Sequence, residues 1–203
     1  MNVLIIAATE NEIGPFLQLP ERQRSGVEVL VTGVGMVATA FAVGKKLTSN
    51  HYDLLLNVGI AGSFDRSIPL GDLVCVYEDT FAELGAQDGD DFLDSNRLGL
   101  GQHSFQGIQQ GYQALDPLRK CRGITVNKVH GNAAAIAETV RRLNPQTESM
   151  EGAAVFYAAH QSGVPAIQVR AISNYVERRN KANWEIPRAI ENLNRWLRAF
   201  FKV

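Results

Sequence analysis

Apolar and polar positions come in blocks whose period changes along the chain. Val3 to Ala8 is an unbroken apolar run, the pattern of a strand covered on both faces. The polar turn Thr9-Glu10-Asn11-Glu12 follows and leads into a short helical segment near Ile13 to Leu17. Val27 to Thr32 reads as a second strand, followed by Gly33-Val34-Gly35 and a helix from about Met36 to Leu47. Asp53 to Val58 is a third buried strand, with Gly59 to Ser63 as a glycine-rich turn at its end. After Pro69-Leu70-Gly71-Asp72, Leu73 to Tyr77 reads as a further strand. Strands alternating with helices in this way predict an α/β fold with a largely parallel sheet.

From Gly85 to about Leu118 the periodicity weakens and Gly, Gln and Asp dominate, which predicts loop and connection. Asp88, Asp90 and Asp91 lack the closing Glu of a calcium loop and read as a solvated acidic turn. Gly123 to Val129 reads as strand, and Ala133 to Leu143 as a helix that ends before Pro145. A small-residue helix runs from Gly152 to a stop at Gly163, and Pro165 opens a buried strand, Ala166 to Ile172. In the last stretch, Trp184 to Phe201, the residues Ile186, Ile190, Leu193, Leu197 and Phe200 recur at helical spacing. That stripe predicts an amphipathic helix facing the core or a subunit contact. No internal repeat, linker or low-complexity segment breaks the pattern, so one domain over residues 1–203 is expected.

Bulk properties narrow the function classes. A chain of 203 residues with 45% hydrophobic content suits one sizeable core. The formal net charge is -1 and no long Lys/Arg block occurs, so nothing favours nucleic acid or an anionic membrane. The N-terminal stretch carries no basic leader, and no apolar run approaches the ~20 residues needed to span a bilayer. A soluble cytoplasmic protein is expected. Cys75 and Cys121 stand apart without a CxxC neighbour and read as buried thiols. His51, His103, His130 and His160 form no i, i+4 pair, so no metal site is expected. No G-x-S-x-G elbow or Cys/His nucleophile pattern is present.

The residues with most chemical content lie between Ser149 and Asn174. Glu151 precedes the small-residue helix and Asn174 closes the strand that follows it. A helix packed back on its strand brings both to one rim of a sheet, where ligands of open α/β sheets bind. Gly33-Val34-Gly35-Met36-Val37-Ala38 fits a G-x-G-x-x-A pattern for dinucleotides. The next strand ends Asn57-Val58-Gly59 without the acidic residue that pattern needs, so a close-packed turn is the simpler reading. Glu10 and Glu12, like Glu151, suit a helix N-terminus even without any catalytic role. Arg170 sits inside an apolar strand and calls for a carboxylate partner, which suggests a structural role.

Six motifs in order carry a resemblance that covers nearly the whole chain. They are Ala7-Ala8-Thr9-Glu10-Asn11-Glu12, Thr32-Gly33-Val34-Gly35, Asn57 to Gly62, Leu70 to Val74, Ser149-Met150-Glu151 and Val169 to Asn174. Together they resemble the purine nucleoside phosphorylase and nucleosidase superfamily, closest to its methylthioadenosine/adenosylhomocysteine nucleosidase branch. The resemblance implies a three-layer α/β/α sandwich with a twisted mixed central sheet, and a homo-oligomer, dimer or tetramer. It implies no cofactor, and a small-molecule purine nucleoside as substrate. By resemblance, the general base that activates water falls on Glu12. The Met-Glu pair that holds the ribose falls on Met150 and Glu151, and the group that polarises the purine falls on Asn174. The glycine-rich segment that lines sugar and base falls on Gly59 to Gly62, which includes Ile60 and Ala61.

Two departures from the branch redirect the substrate. Adenine-releasing members carry Asp where this chain has Asn174, and an amide NH₂ suits the O6 or N7 of a 6-oxopurine instead. Phosphorylases of the superfamily place an arginine where this chain has Asn57, so hydrolysis is favoured over phosphorolysis. A nucleosidase releasing a 6-oxopurine is similar to the futalosine hydrolase family, as are Glu78 to Ala86 and the Arg170 to Glu177 segment. That resemblance implies cleavage of futalosine to hypoxanthine and dehypoxanthine futalosine, in menaquinone biosynthesis. The rivals are a methylthioadenosine/adenosylhomocysteine nucleosidase, a phosphorylase, and a non-catalytic nucleoside or dinucleotide-binding module. Phe81, Tyr77 and Tyr175 are candidates for aromatic contact with the 5′ substituent. The segment Asn127 to Gly131, where relatives place the ring that stacks on the purine, offers no aromatic except His130.

Overall fold

The computed structural model describes residues 1–20 and 25–203. In chain order the elements begin with β1 (Val3–Ala7), α1 (Glu10–Leu17), β2 (Val27–Val31), α2 (Met36–Ser49), β3 (Leu54–Ser63) and β4 (Leu73–Phe81). A hairpin of β5 (Gly85–Asp88) and β6 (Asp91–Asp94) follows, then β7 (Ser104–Gln106) and β8 (Arg119–Thr125). The chain ends with α3 (Ala133–Leu143), β9 (Thr147–Ser149), α4 (Gly152–Ser162), β10 (Ala166–Tyr175) and α5 (Ile186–Phe201).

The period of two along β1 builds the layers. Val3, Ile5 and Ala7 join a core closed by Ile13 and Phe16 of α1 and by Ala189, Leu193 and Leu197 of α5. Leu4 and Ile6 point the other way, into a core closed by Val43 of α2 and by Val155 and Phe156 of α4. Successive side chains of a strand face opposite sides, so an all-apolar strand needs a helix layer on each face. The result is a three-layer α/β/α sandwich. Its sheet is mixed: β1 pairs in parallel with β2 and β3, and β10 runs parallel to β3 but antiparallel to β4.

The sheet also closes on itself, which the alternation of elements did not foretell. β10 pairs with β3 and β4, β4 with β8, β8 with β9, and β9 back with β3. This ring of five strands encloses a core of Ala61, Val74, Val76, Cys121 and Ile172. Cys75 and Cys121 are both buried and free, as expected of core thiols.

Besides β4 and β10, which run on past the expected ends at Tyr77 and Ile172, three stretches differ from the sequence reading. Gly59 to Ser63 is not a turn. It is the second half of β3, held by β10 on one side and, at Gly62 and Ser63, by β9 on the other. The strand placed at Gly123 to Val129 starts at Arg119 and ends at Thr125, because its partners β4 and β9 end there. The stretch from Gly85 to Leu118 holds the β5–β6 hairpin, β7 and a 3-10 turn at Gln113–Leu115, and is not all loop. Polar faces hid these short strands from a hydrophobic pattern. Among the described residues, no helix is long and apolar enough to cross a membrane.

Candidate active site

At the carboxyl ends of β1, β3 and β10, and at the mouth of the ring, lies a cavity of about 400 Å³. Glu12, Ile60, Ala61, Gly62, Met150, Glu151 and Asn174 all line it. The structure therefore brings these seven catalytic and substrate-binding candidates to one place.

Glu12 is the third residue of α1 and closes a capping box with Thr9. Its Oε2 accepts the Thr9 backbone N–H at 3.0 Å and the Thr9 hydroxyl at 2.8 Å. Its Oε1 accepts the Ile60 N–H at 3.1 Å. The bland helix-terminus reading of this carboxylate is thus correct for one oxygen, while the other reaches across to β3 at the cavity wall. Gly59 makes that reach possible: a Cβ there would stand 2.7 Å from Glu12 Oε1 and 2.5 Å from Arg170 Nη1.

Glu151 stands at the N-cap of α4 and is held from two sides. The Gly35 N–H donates to Oε1 at 3.1 Å, and Arg170 Nη1 lies 3.7 Å from Oε2. Gly33 and Gly35 have φ of 84° and 98°, a region that favours glycine, so the Gly-Val-Gly turn exists to aim a backbone donor at this carboxylate. Arg170 is 1% exposed, and its Nε and Nη2 carry no hydrogen bond from the described residues. The structure gives it the expected carboxylate partner and sets it beside both Glu12 and Glu151.

Beneath Glu151 lies a buried polar chain. Asn57 Nδ2 donates to Gln168 Oε1 at 3.2 Å, and Gln168 Nε2 donates to Asp79 Oδ2 at 2.8 Å. The Thr125 hydroxyl donates to Asp79 Oδ1 at 2.8 Å and in turn accepts the Ala153 N–H at 2.7 Å. Burial pushes the Asp79 carboxyl up to about 6, against the hydrogen bonds from Gln168 and Thr125. Asn57 is spent on this chain.

Asn174 projects from β10 into the cavity. Its Oδ1 accepts from Ser173 Oγ at 2.8 Å, and its Nδ2 donates one hydrogen to the Tyr175 carbonyl at 3.1 Å. The second N–H of the amide is left for a ligand.

Sequence reasoning missed several lining residues. Glu148 and His130 face the cavity as a pair. The Glu148 carboxylate accepts the His130 backbone N–H at 3.0 Å, and its Oε2 lies 2.6 Å from Nδ1. The His130 Nε2 meets the Thr139 hydroxyl at 2.9 Å. Burial pushes the Glu148 carboxyl up, with the His130 hydrogen bonds opposing it. β9 has three residues, too few for any periodicity to flag Glu148. Ile186 and Ile190 of the last amphipathic stripe, with Trp184 and Arg179 stacked on it, also line the cavity. Of the three aromatic candidates Tyr175 does so, whereas Phe81 packs against Phe105 in the core.

The three-layer sandwich thus gathers a carboxylate from the first helix, a Met-Glu pair from before the fourth and an amide from the last strand around one cavity. The model of the phosphorylase superfamily matches residues 3–203, and the chain belongs to that superfamily. Within it, the chain is 35% identical over 182 residues to the futalosine hydrolase of Streptomyces coelicolor, covering 85% of this chain and 77% of that one. Two solved structures share the fold at lower identity. The 5'-methylthioadenosine/S-adenosylhomocysteine nucleosidase of Neisseria meningitidis, bound to methylthio-immucillin-A, matches with a TM-score of 0.81 and 18% identity, over 98% of both chains. The native futalosine hydrolase of Helicobacter pylori matches with a TM-score of 0.80 and 15% identity, over 98% of this chain and 97% of that one. The fold does not separate these two activities; the site residues must.

Proposed function

We propose that this chain hydrolyses the N-glycosidic bond of futalosine, releasing hypoxanthine and dehypoxanthine futalosine, as a step toward menaquinone. The observation that carries this reading is the Asn174 amide, which lines the same cavity as the α1 carboxylate Glu12 and spends one of its two N–H groups on the Tyr175 carbonyl. An NH₂ donor matches O6 or N7 of a 6-oxopurine and opposes a 6-amino group. The sequence similarity to curated futalosine hydrolases supports the same substrate.

Cleavage passes through an oxocarbenium-like state in which charge grows on sugar and leaving base. Glu12 orients and deprotonates the attacking water. Glu151, paired with Arg170 and fixed by Gly35, binds the ribose hydroxyls and sets the geometry of attack. Met150 packs on the ribose with its adaptable thioether. Asn174 steadies the departing purine, a donor role worth on the order of 10²–10³ in rate. The reaction needs no cofactor or metal in this scheme. The protein acts as one domain in the cytoplasm on a small molecule, not on nucleic acid or membrane, and assembles as a dimer or tetramer.

The test is direct. The protein is incubated with futalosine, inosine and methylthioadenosine, with and without phosphate, and the released base is identified. Hypoxanthine from futalosine at a rate independent of phosphate is the expected result. Adenine released faster than hypoxanthine would make this an adenine nucleosidase, and dependence on phosphate would make it a phosphorylase.

A further inference from the structure

Three neighbouring strands, β9, β3 and β10, carry Glu148, Gly62 and Asn174 at one level. Gly62 pairs with Glu148 on one side and with Asn174 on the other. Residues in register on adjacent strands project to the same face. Gly62 has no side chain there, and a Cβ on it would stand 3.3 Å from Asn174 Nδ2 and 3.5 Å from Glu148 Cγ. The amide and the carboxylate side chain thus flank the bare backbone of Gly62, and all three line the cavity.

Glu148 is 4% exposed and lies outside the set formed by Glu12, Arg170 and Glu151. His130 fixes its orientation by two hydrogen bonds, and Thr139 fixes His130 in turn. A carboxylate has about four acceptor positions, so Glu148 retains some for a ligand. A buried carboxylate that a histidine holds at a cavity wall, level with the base-reading amide, is a second reading group.

We propose that Glu148 is a specificity residue for the base, accepting N1–H of a 6-oxopurine while Asn174 donates to O6. This deepens the functional reading above and rests on it. A 6-oxopurine presents acceptors at N7 and O6 and then a donor at N1, along one edge. Adenine presents N7, an amino donor and a bare N1 acceptor along the same edge. The donor–acceptor pair of Asn174 and Glu148 matches the first order of groups and opposes the second at both positions. Asn174 alone discriminates at one atom; with Glu148 the wrong base leaves two buried groups unpaired. Sites built to hydrogen-bond a group reject analogues lacking it by about 10⁴–10⁵.

The experiment measures inhibition of futalosine cleavage by hypoxanthine, 1-methylhypoxanthine and adenine, for the intact protein and for Glu148→Gln. In the native protein, methylation of N1 should weaken inhibition at least roughly tenfold relative to hypoxanthine, the scale of one hydrogen bond to a charged group. In Glu148→Gln, inhibition by hypoxanthine should weaken about 10- to 100-fold while adenine holds or gains, so the ratio of the two bases collapses. A purely structural Glu148 would weaken both bases alike and leave the ratio unchanged, which overturns the proposal. Should the variant not fold, the native protein decides alone: equal inhibition by hypoxanthine and 1-methylhypoxanthine overturns it. A native protein that releases no hypoxanthine from futalosine refutes the functional reading itself. Hypoxanthine release with an unchanged base ratio in Glu148→Gln refutes only the role of Glu148.

Discussion

Glu12 divides its carboxylate between the cap of α1 and the wall of β3, and the division predicts how a conservative change behaves. In Glu12→Gln one acceptor oxygen becomes an NH₂ that faces an N–H donor, either at Thr9 or at Ile60. Stability should fall by about 1–2 kcal/mol, the cost of one lost hydrogen bond, with the fold intact. Turnover of futalosine should fall by about 10²–10⁴, the usual contribution of a general base. Circular dichroism and single-turnover rates read the two effects separately, and a near-native rate would exclude Glu12 as the base. Asp79 makes a different prediction, about pH. Its carboxyl is raised from 3.8 to about 6, so the folded state binds a proton more tightly than the unfolded state does. Stability from this group is therefore present below about pH 4 and lost as pH rises through about 6. Asp79→Asn removes the titration. Urea unfolding of variant and native protein should show a difference that moves in the variant's favour by about 2–3 kcal/mol between pH 4 and pH 7. A difference that stays flat with pH would mean that Asp79 is not held protonated by burial.

At the scale of elements, the seat of α4 depends on one missing side chain. A Cβ on Gly152 would collide with Asp79 Oδ2 and stand 2.5 Å from Gln168 Oε1. Gly152→Ala must therefore push the buried polar chain apart or lift the start of α4, and Glu151 moves with it. We expect a loss of about 1–3 kcal/mol in unfolding free energy from overpacking, with a KM for futalosine that rises more than kcat falls. A variant as stable as the native protein would show that the seat can relax. This glycine marks the limit of what a linear pattern conveys. The long elements β1, α4, β10 and α5 were legible because each buries a continuous apolar face. The candidate residues of the cavity were legible through the order of the motifs and the resemblance they carry, and Glu12, Met150, Glu151 and Asn174 do line one cavity. Gly59 to Ser63 was misread because glycine ordinarily signals a turn, whereas here it lets Arg170 and Glu12 approach the strand. β9 and Glu148 were invisible, because a three-residue strand has no period and its charge looks like surface. Their burial comes from closure of the ring, a contact between strands far apart in sequence.

At the scale of the molecule, one helix face remains to be accounted for. Val37 and Phe41 of α2 are 78% and 72% exposed, and Val34 just before the helix is 57% exposed. Positions four apart share a helix face, so Val37 and Phe41 form one exposed apolar strip. Contiguous exposed apolar surface of this kind marks an interface, and the homo-oligomer proposed above would cover it. The strip is not remote from the chemistry. Val34 lines the cavity, and Gly35, at the N-cap of the same helix, donates to Glu151. A second copy seated on α2 would shield the rim of the cavity and steady the turn that aims Gly35. Phe41→Asp, which leaves every cavity-lining residue in place, should lower the mass measured by light scattering to that of one 22.3 kDa chain. Because the rim is then more open to water, KM for futalosine should rise severalfold, with helical content unchanged. An unaltered oligomeric mass would remove α2 from the interface, and a monomeric native protein would remove the assembly altogether.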